Sequence, residues 1–249
     1  MDTQKQYHIG VGPGEVARYV LLPGDPGRAE KIAGYFDEVR EVAFNREFRT
    51  FTGSVNGIGV SVTSTGIGCP SAAIALEELI KVGADTFIRV GTAGALQKEL
   101  ELGDLAIATG AVRDEGTTRQ YVPLEYPAVA DPEIVEGLRQ AAAELGYPHH
   151  LGITHCKDSF YSEEEGYSAQ GDSNRMRWNS WMDANVIATS MEEAALFVIG
   201  SLRRVRVGSI LAVIGKTWAG EPVIHGVGPE KAIETALRAF ALLDSSTRK

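Results

Sequence analysis

The chain has 249 residues, 44% hydrophobic and 23% charged, with a formal net charge of −9. That balance suits a globular protein with one large core or two small ones, and no run approaches the roughly 18 apolar residues of a membrane span. The acidity argues against a nucleic-acid or anionic-membrane surface, and it requires any anionic ligand to be held by arginines concentrated locally against the overall field.

The polar start, Met1 to Gln6, has neither the charge nor the apolar block of a signal peptide. Cys69 and Cys156 fit no disulfide framework or metal spacing, and the five histidines are too scattered for a zinc motif. A reducing cytoplasm is the expected compartment. Gly10-Val11-Gly12-Pro13-Gly14 has the look of a dinucleotide loop, but no strand precedes it and Pro13 and Glu15 spoil the spacing.

Tyr19-Val20-Leu21-Leu22 reads as a buried strand, and Asp25 followed by Pro26 is a cap and first residue for a helix running to about Phe36. Free amides at that helix start, Gly24 before it and Arg28 in its first turn could cradle an oxyanion; equally, they make a well-capped helix with a surface arginine. Strand-like runs at 48–55 and 58–64 are joined by Asn56-Gly57, a hairpin signal, with Arg46 and Arg49 at the entry to the first. Ala72, Ala73, Leu76, Leu79 and Ile80 then repeat at helical spacing, and Gly83 closes that helix.

Thr86-Phe87-Ile88-Arg89-Val90 is an apolar run that breaks into a turn of small residues, Gly91-Thr92-Ala93-Gly94-Ala95. Arg89 is the anomaly, because a guanidinium in an apolar strand must be paired. Its partner is either a structural carboxylate, for instance on the preceding helix, or an anion bound at the strand's carboxyl end, where open α/β sheets take ligands.

A strand is expected over Asp104–Thr109, an alanine-rich helix from Asp131-Pro132 to Gly146, and a strand at 151–155 leading to Phe160 and Tyr161. Residues 162–185 are polar and read as a surface excursion or flap. Ile187 to Glu193 passes from strand into helix; Ser209–Ile214 is a strand, Gly215–Val227 a loop and Pro229–Leu243 a closing helix. Strands alternating with helices call for one three-layer α/β/α domain over residues 1–249, around a mixed, largely parallel sheet.

Leu22-Pro23-Gly24-Asp25-Pro26-x-Arg28, Ser64-Thr65-Gly66-Ile67-Gly68-x-Pro70-Ser71, Arg89-Val90-Gly91-Thr92-Ala93-Gly94 and Met191-Glu192 stand in the order and spacing of one family. By these motifs the chain resembles, over nearly its whole length, the nucleoside phosphorylase superfamily of hexameric, trimer-of-dimers architecture. Pro123 to Asp131 looks like uridine phosphorylases, whereas Gly116 to Tyr121 and Gly146 to His149 look like bacterial enzymes for purine nucleosides.

The resemblance implies phosphorolysis of a nucleoside to ribose 1-phosphate and free base, with inorganic phosphate as co-substrate and neither cofactor nor metal. Arg28, Arg46 and Arg89 match the family's phosphate arginines, with Gly24 and Thr92 completing the cradle. Glu192 matches the carboxylate that receives ribose hydroxyls, Met191 the residue beneath the sugar, and His8 a histidine reaching the ribose 5′-hydroxyl of a neighbouring subunit. Phe160 matches an aromatic that stacks on the base. Active sites shared between subunits of a homohexamer are implied as well.

Three departures concern the base and sugar. Glu164 and Gly166 stand where uridine phosphorylases read the uracil edge with glutamine and arginine. Gly215-Lys216-Thr217 has no acid to protonate a purine, and Lys216 could stand in for an arginine of the pyrimidine enzymes. Ser190-Met191-Glu192 replaces Glu-Met-Glu, so one sugar carboxylate is missing. The leading expectation is a uridine-phosphorylase-like pentosyltransferase. Its alternatives are a phosphorylase for purine or modified nucleosides and a non-catalytic binder of nucleoside or phosphate; a hydrolytic nucleosidase would have no use for three phosphate arginines.

Overall fold

The computed structural model describes residues 5–162, 166–220 and 227–247, without the side chains of 246 and 247. Ten strands and six longer helices follow in the order β1 (Tyr19–Leu22), α1 (Pro26–Ala33), β2 (Asp37–Asn45), β3 (Phe48–Val55), β4 (Ile58–Thr63), α2 (Cys69–Lys81), β5 (Thr86–Ala95), β6 (Leu105–Asp114), β7 (Ala128–Val129), α3 (Pro132–Glu144), β8 (His149–Lys157), α4 (Gly171–Asp183), β9 (Ala188–Ser190), α5 (Glu193–Arg203), β10 (Arg206–Gly215) and α6 (Pro229–Thr247).

The local signals act as expected where they are strong. Asp25 accepts hydrogen bonds from the Gly27 and Arg28 amides, both at 3.0 Å, so α1 opens at Pro26. Asn56 and Gly57 both have positive φ, 51° and 78°, and join β3 to β4 in a tight antiparallel hairpin. Two elements lacked such a signal. β2 is a mostly exposed edge strand with no apolar face. Helix α4 lies inside the stretch expected to be a flap, and none of its residues is buried.

All strands belong to one sheet in the order β10-β6-β8-β9-β5-β1-β4-β3-β2, with β7 on β6 and a further pairing of β10 with β5. That last pairing runs parallel from Arg206 opposite Thr86 to Gly215 opposite Gly94, while β10 also pairs antiparallel with β6. The strands β10, β6, β8, β9 and β5 therefore close into a ring, and β1, β4, β3 and β2 extend from it as an open wing. Of the ten pairings, five are parallel and five antiparallel. The sheet is mixed as expected, but it is neither largely parallel nor a simple open layer.

Helices cover both sides, which makes the fold α/β. Side chains of α1, α3 and α6 pack on Tyr19, Leu21, Ile88 and Val90, and those of α2 and α5 pack on Val20, Leu22 and Phe87. The alternation along β1 and β5 assigns successive residues to opposite cores. A third cluster, with Ala93, Ala95, Ala106, Ala188, Leu211 and Val213, belongs to the ring strands. Closure explains why 91–95 is strand and not the expected turn. Small residues let β5 bend against β9 and β10, and a side chain at Gly94 would begin 1.9 Å from the Thr217 Oγ1. Among the described residues no helix is long and apolar enough to cross a membrane.

Candidate active site

Two loops meet at the carboxyl ends of β1 and β4, beside Arg89, which lies within β5 as the register partner of Leu22. The segment after β1 is tied to the one after β4 by Thr65 N to Pro23 O (2.8 Å) and Gly66 N to Gly24 O (2.9 Å). A Cβ on Gly24 would stand 3.1 Å from the Gly66 carbonyl, so glycine permits the approach. Arg28, on the first turn of α1, is partly buried, and its side chain forms no hydrogen bond or ion pair among the described residues. Burial and the neighbouring Arg89 push its guanidinium below the ordinary value, against weaker opposing pulls from Asp25, Glu192 and Glu230. Two guanidinium groups within electrostatic reach in a partly buried place favour an anion between them.

Arg89 is 5% exposed and points toward α5. Its partners are not on the preceding helix, the location considered from sequence, but at the start of α5, more than a hundred residues along the chain. Nε donates to Glu193 at 2.7 Å, and Nη2 pairs with the Glu192 carboxylate. Burial alone would depress the guanidinium; the charges of Glu192 and Glu193 outweigh it and hold it above its ordinary value. Nη1 is buried with no hydrogen-bond partner among the described residues. Gly91 makes room for this side chain, since a Cβ there would lie 3.0 Å from Nη2 and 2.6 Å from the Leu211 side chain.

Glu192 caps α5 from outside and accepts from the Gly68 amide at 2.8 Å. It therefore touches two of the motif segments at once, at Gly68 before α2 and at Arg89 within β5. Burial raises its carboxyl above the ordinary range; the Arg89 charge works against this and Glu193 adds to it. Met191, beside it, is partly buried. Ser190 stands where a second sugar carboxylate was expected, and its hydroxyl is bound to Glu193. Thr92 and Gly94 fall on the strand face opposite Arg89 and Gly91, so the Thr92 side chain is not brought against the guanidinium.

Of the other predicted residues, His8, Phe160 and Lys216 have contacts outside this centre. Arg46 is exposed at the β2–β3 turn with φ of 56° and no side-chain partner among the described residues. His8 Nδ1 lies 2.6 Å from Glu78, which also accepts from the His8 and Ile9 amides, so this buried carboxylate on α2 fixes the imidazole. Phe160 is 53% exposed, edge-on to Tyr161, with the Lys157 ammonium over its ring. Lys216 forms an ion pair with Glu101 at 2.6 Å. Glu164 lies outside the described residues.

A cleft of about 280 Å³ opens beside Phe160, between β8 and α4. Asp114, His155, Lys157, Trp178 and Trp181 line it. His155 bridges Asp114 (3.0 Å from Nε2) and the Thr189 hydroxyl (3.3 Å from Nδ1), the residue before Ser190.

Glu193, Glu78 and this Asp114–His155 pair were missed from sequence. For the first two a signal existed. Each is an acid on the buried stripe of an apolar helix, Glu78 between Ala75 and Leu79 and Glu193 opening a run of apolar residues. The two cysteines carried none: Cys69 and Cys156 are both buried and free, with their sulfurs 3.5 Å apart.

A family model described as the phosphorylase superfamily matches residues 18–248. The chain is 45% identical over 246 residues to a uridine phosphorylase of Treponema pallidum, covering 97% of this chain and 95% of that protein. It is 50% identical to a uridine phosphorylase of Thermococcus kodakarensis, covering 96% and 86%. It is also 40% identical to a guanosine phosphorylase of Halorubrum lacusprofundi, with 96% of each chain covered.

Proposed function

The chain belongs to the phosphorylase superfamily, and from that premise we propose that it is a pentosyltransferase that cleaves uridine with inorganic phosphate to ribose 1-phosphate and uracil. The observation that carries the proposal is the convergence of Arg28 and Arg89, with the buried Arg89 Nη1 unpartnered among the described residues and Glu192 in contact.

Phosphate is held by Arg28, Arg89, the Gly24 and Thr92 segments and, from a neighbouring subunit, Arg46. Bound there it attacks the anomeric carbon, while the sugar takes on oxocarbenium character and the base leaves with the bonding electron pair. The protein contributes placement and charge, with no covalent intermediate of its own. Glu192 turns from Arg89 to the ribose hydroxyls, Met191 lies beneath the sugar, and His8 of an adjacent subunit receives the 5′-hydroxyl. If its Nδ1–H is given to Glu78, its Nε2 is an acceptor. Phe160 stacks on the base, with Lys216 and Glu164 near its edge. The reaction needs no cofactor. Residues 1–249 act as one domain in a cytoplasmic homohexamer, and the α/β/α layering holds for the open wing of the sheet.

The guanosine phosphorylase relative gives the purine reading its support. Initial rates of base release from uridine, thymidine, inosine, guanosine and adenosine, with and without phosphate, separate the readings. Uridine is expected to lead, adenosine to be poorest, and release to require phosphate. Guanosine or inosine outpacing uridine by about tenfold would replace the pyrimidine assignment. No phosphate-dependent release from any of them would leave a binding protein.

A further inference from the structure

Glu193 has no role in the reaction as described, yet it is the most buried acid in contact with the site, at 0% exposure. It opens a helix whose next seven residues, Ala194 to Gly200, are all buried. An unpaired carboxylate there would cost several kcal/mol, so its surroundings must hold it as an anion or satisfy it by hydrogen bonds. They do both: Oε1 accepts from Arg89 Nε at 2.7 Å and Ser209 Oγ at 3.1 Å, and Oε2 from Ser190 Oγ. Ser209 is the register partner of Arg89 across the β5–β10 pairing, and Ser190 ends β9. The carboxylate is thus fixed by two strands independently of the arginine.

Arg89 consequently carries two carboxylates where one would balance its charge. Glu192 has one oxygen on the Gly68 amide and the other on Nη2, so sugar hydroxyls that reach it compete with the guanidinium for its lone pairs. Were it the sole anchor, the guanidinium would lose its orientation whenever the sugar bound. Planar guanidinium geometry offers a side edge containing Nε and an end carrying Nη1 and Nη2. Glu193 takes Nε, and the buried Nη1 at the end has no hydrogen-bond partner among the described residues.

We propose that Glu193 is a positioning residue of the phosphate subsite: it holds the Nε edge of Arg89 so that the Nη end faces the anion while Glu192 is released to the sugar. This rests on the phosphorolysis reading above. It also accounts for Ser190, whose hydroxyl tethers Glu193 in place of contributing a carboxylate to the sugar.

The test uses Glu193→Ala, Glu193→Gln, Ser209→Ala and Arg89→Ala in the full chain. Phosphate KM, nucleoside KM and kcat are measured, with thermal stabilisation by inorganic phosphate as a readout independent of turnover. Loss of one charge-assisted bond predicts that Glu193→Ala raises the phosphate KM about tenfold or more, with the nucleoside KM within about twofold. The Gln amide oxygen still accepts from Nε, so Glu193→Gln should recover most of that loss. Ser209→Ala, which removes one tether, should raise the phosphate KM about threefold, and it decides the matter if Glu193→Ala does not fold. An unchanged phosphate KM in the folded variants, or equal rises for both substrates, overturns the positioning role. If Arg89→Ala abolishes phosphate stabilisation while Glu193→Ala keeps it in full, only this proposal falls. If phosphate still stabilises Arg89→Ala like the parent protein, the subsite itself is wrong and the proposal falls with it.

Discussion

Asp114 illustrates how a single residue is tuned by neighbours remote in sequence. Burial would raise its carboxyl, but the hydrogen bond from His155 and the charge of Arg177 outweigh it and hold it below the ordinary value. An aspartate depressed in the folded state binds fewer protons there than in the unfolded chain. Its stabilisation is therefore present above the ordinary aspartate value and is lost as pH falls through the folded one. Asp114→Asn is expected to be less stable at neutral pH and to show a flatter melting profile on acidification below the ordinary aspartate value of about 3.9. Parallel profiles for the two proteins would mean that the pair adds nothing. That Arg89 is paired, by contrast, was legible from its own surroundings, because a charge in an apolar strand demands a partner. Which carboxylates answered that demand was not legible: Glu192 and Glu193 reach it only through the packing of α5 on β5.

At the scale of elements, β6 runs five residues beyond the expected Thr109 and so places Arg113 under the segment that follows. Arg113 is 7% exposed and donates to the carbonyls of Val122, Pro123, Leu124 and Tyr126 and to the Thr118 hydroxyl. One side chain thereby ties together residues 118–126, whose own backbone bonds are confined to short turns, with Glu115 binding Thr118 from the other side. Arg113→Ala should lower unfolding free energy by at least about 3 kcal/mol, since several buried acceptors lose a charged donor. Arg113→Lys should rescue little, because an ammonium has three donors and no planar fork. Denaturant melts check the stability, and amide exchange across 118–126 checks that the loss is centred there. Wild-type-like protection in Arg113→Ala would show the segment holds itself. The elements that escaped the sequence, β2 and α4, share a physical cause. Neither contributes a fully buried residue, and β2 sets only Val42 and Ala43, adjacent in sequence, against a core, so neither imposes a period on its residues.

For the whole molecule, the centre at Arg89 and the exposed Arg46 turn pose a question of assembly. Arg46 sits in left-handed backbone at the end of an edge strand; Phe44, two residues before it, and Tyr7, whose carbonyl accepts from the Asn45 side-chain amide, expose large apolar side chains. A closed homo-oligomer in which this turn enters a neighbour's site is the expected arrangement. Arg46→Ala and Arg89→Ala should each be inactive alone. Mixed under subunit exchange, they should regain part of the activity, because some sites then draw both arginines from unmutated chains. Hybrids that stay inactive, beside exchange controls that recover, would place Arg46 outside the shared site.

The sequence by itself determined the features that depend on near neighbours along the chain. These include the Asp25-Pro26 helix start, the Asn56-Gly57 hairpin, the apolar faces of α2, α3 and α6, and the order of the glycine-rich motifs. Each is set by backbone preference or by a repeat of two or 3.6 residues, which a short stretch specifies alone. Tertiary structure decided the rest. Closure of β10 onto β5 turned an expected open layer into a ring, and that closure depends on small residues meeting across strands more than a hundred positions apart. It likewise brought Glu193 to Arg89, Glu78 to His8 and Asp114 to His155, none of which any local spacing encodes. A buried charge announces that it needs a counter-charge, because leaving water costs more than the chain can spare. The identity of that counter-charge is a property of packing.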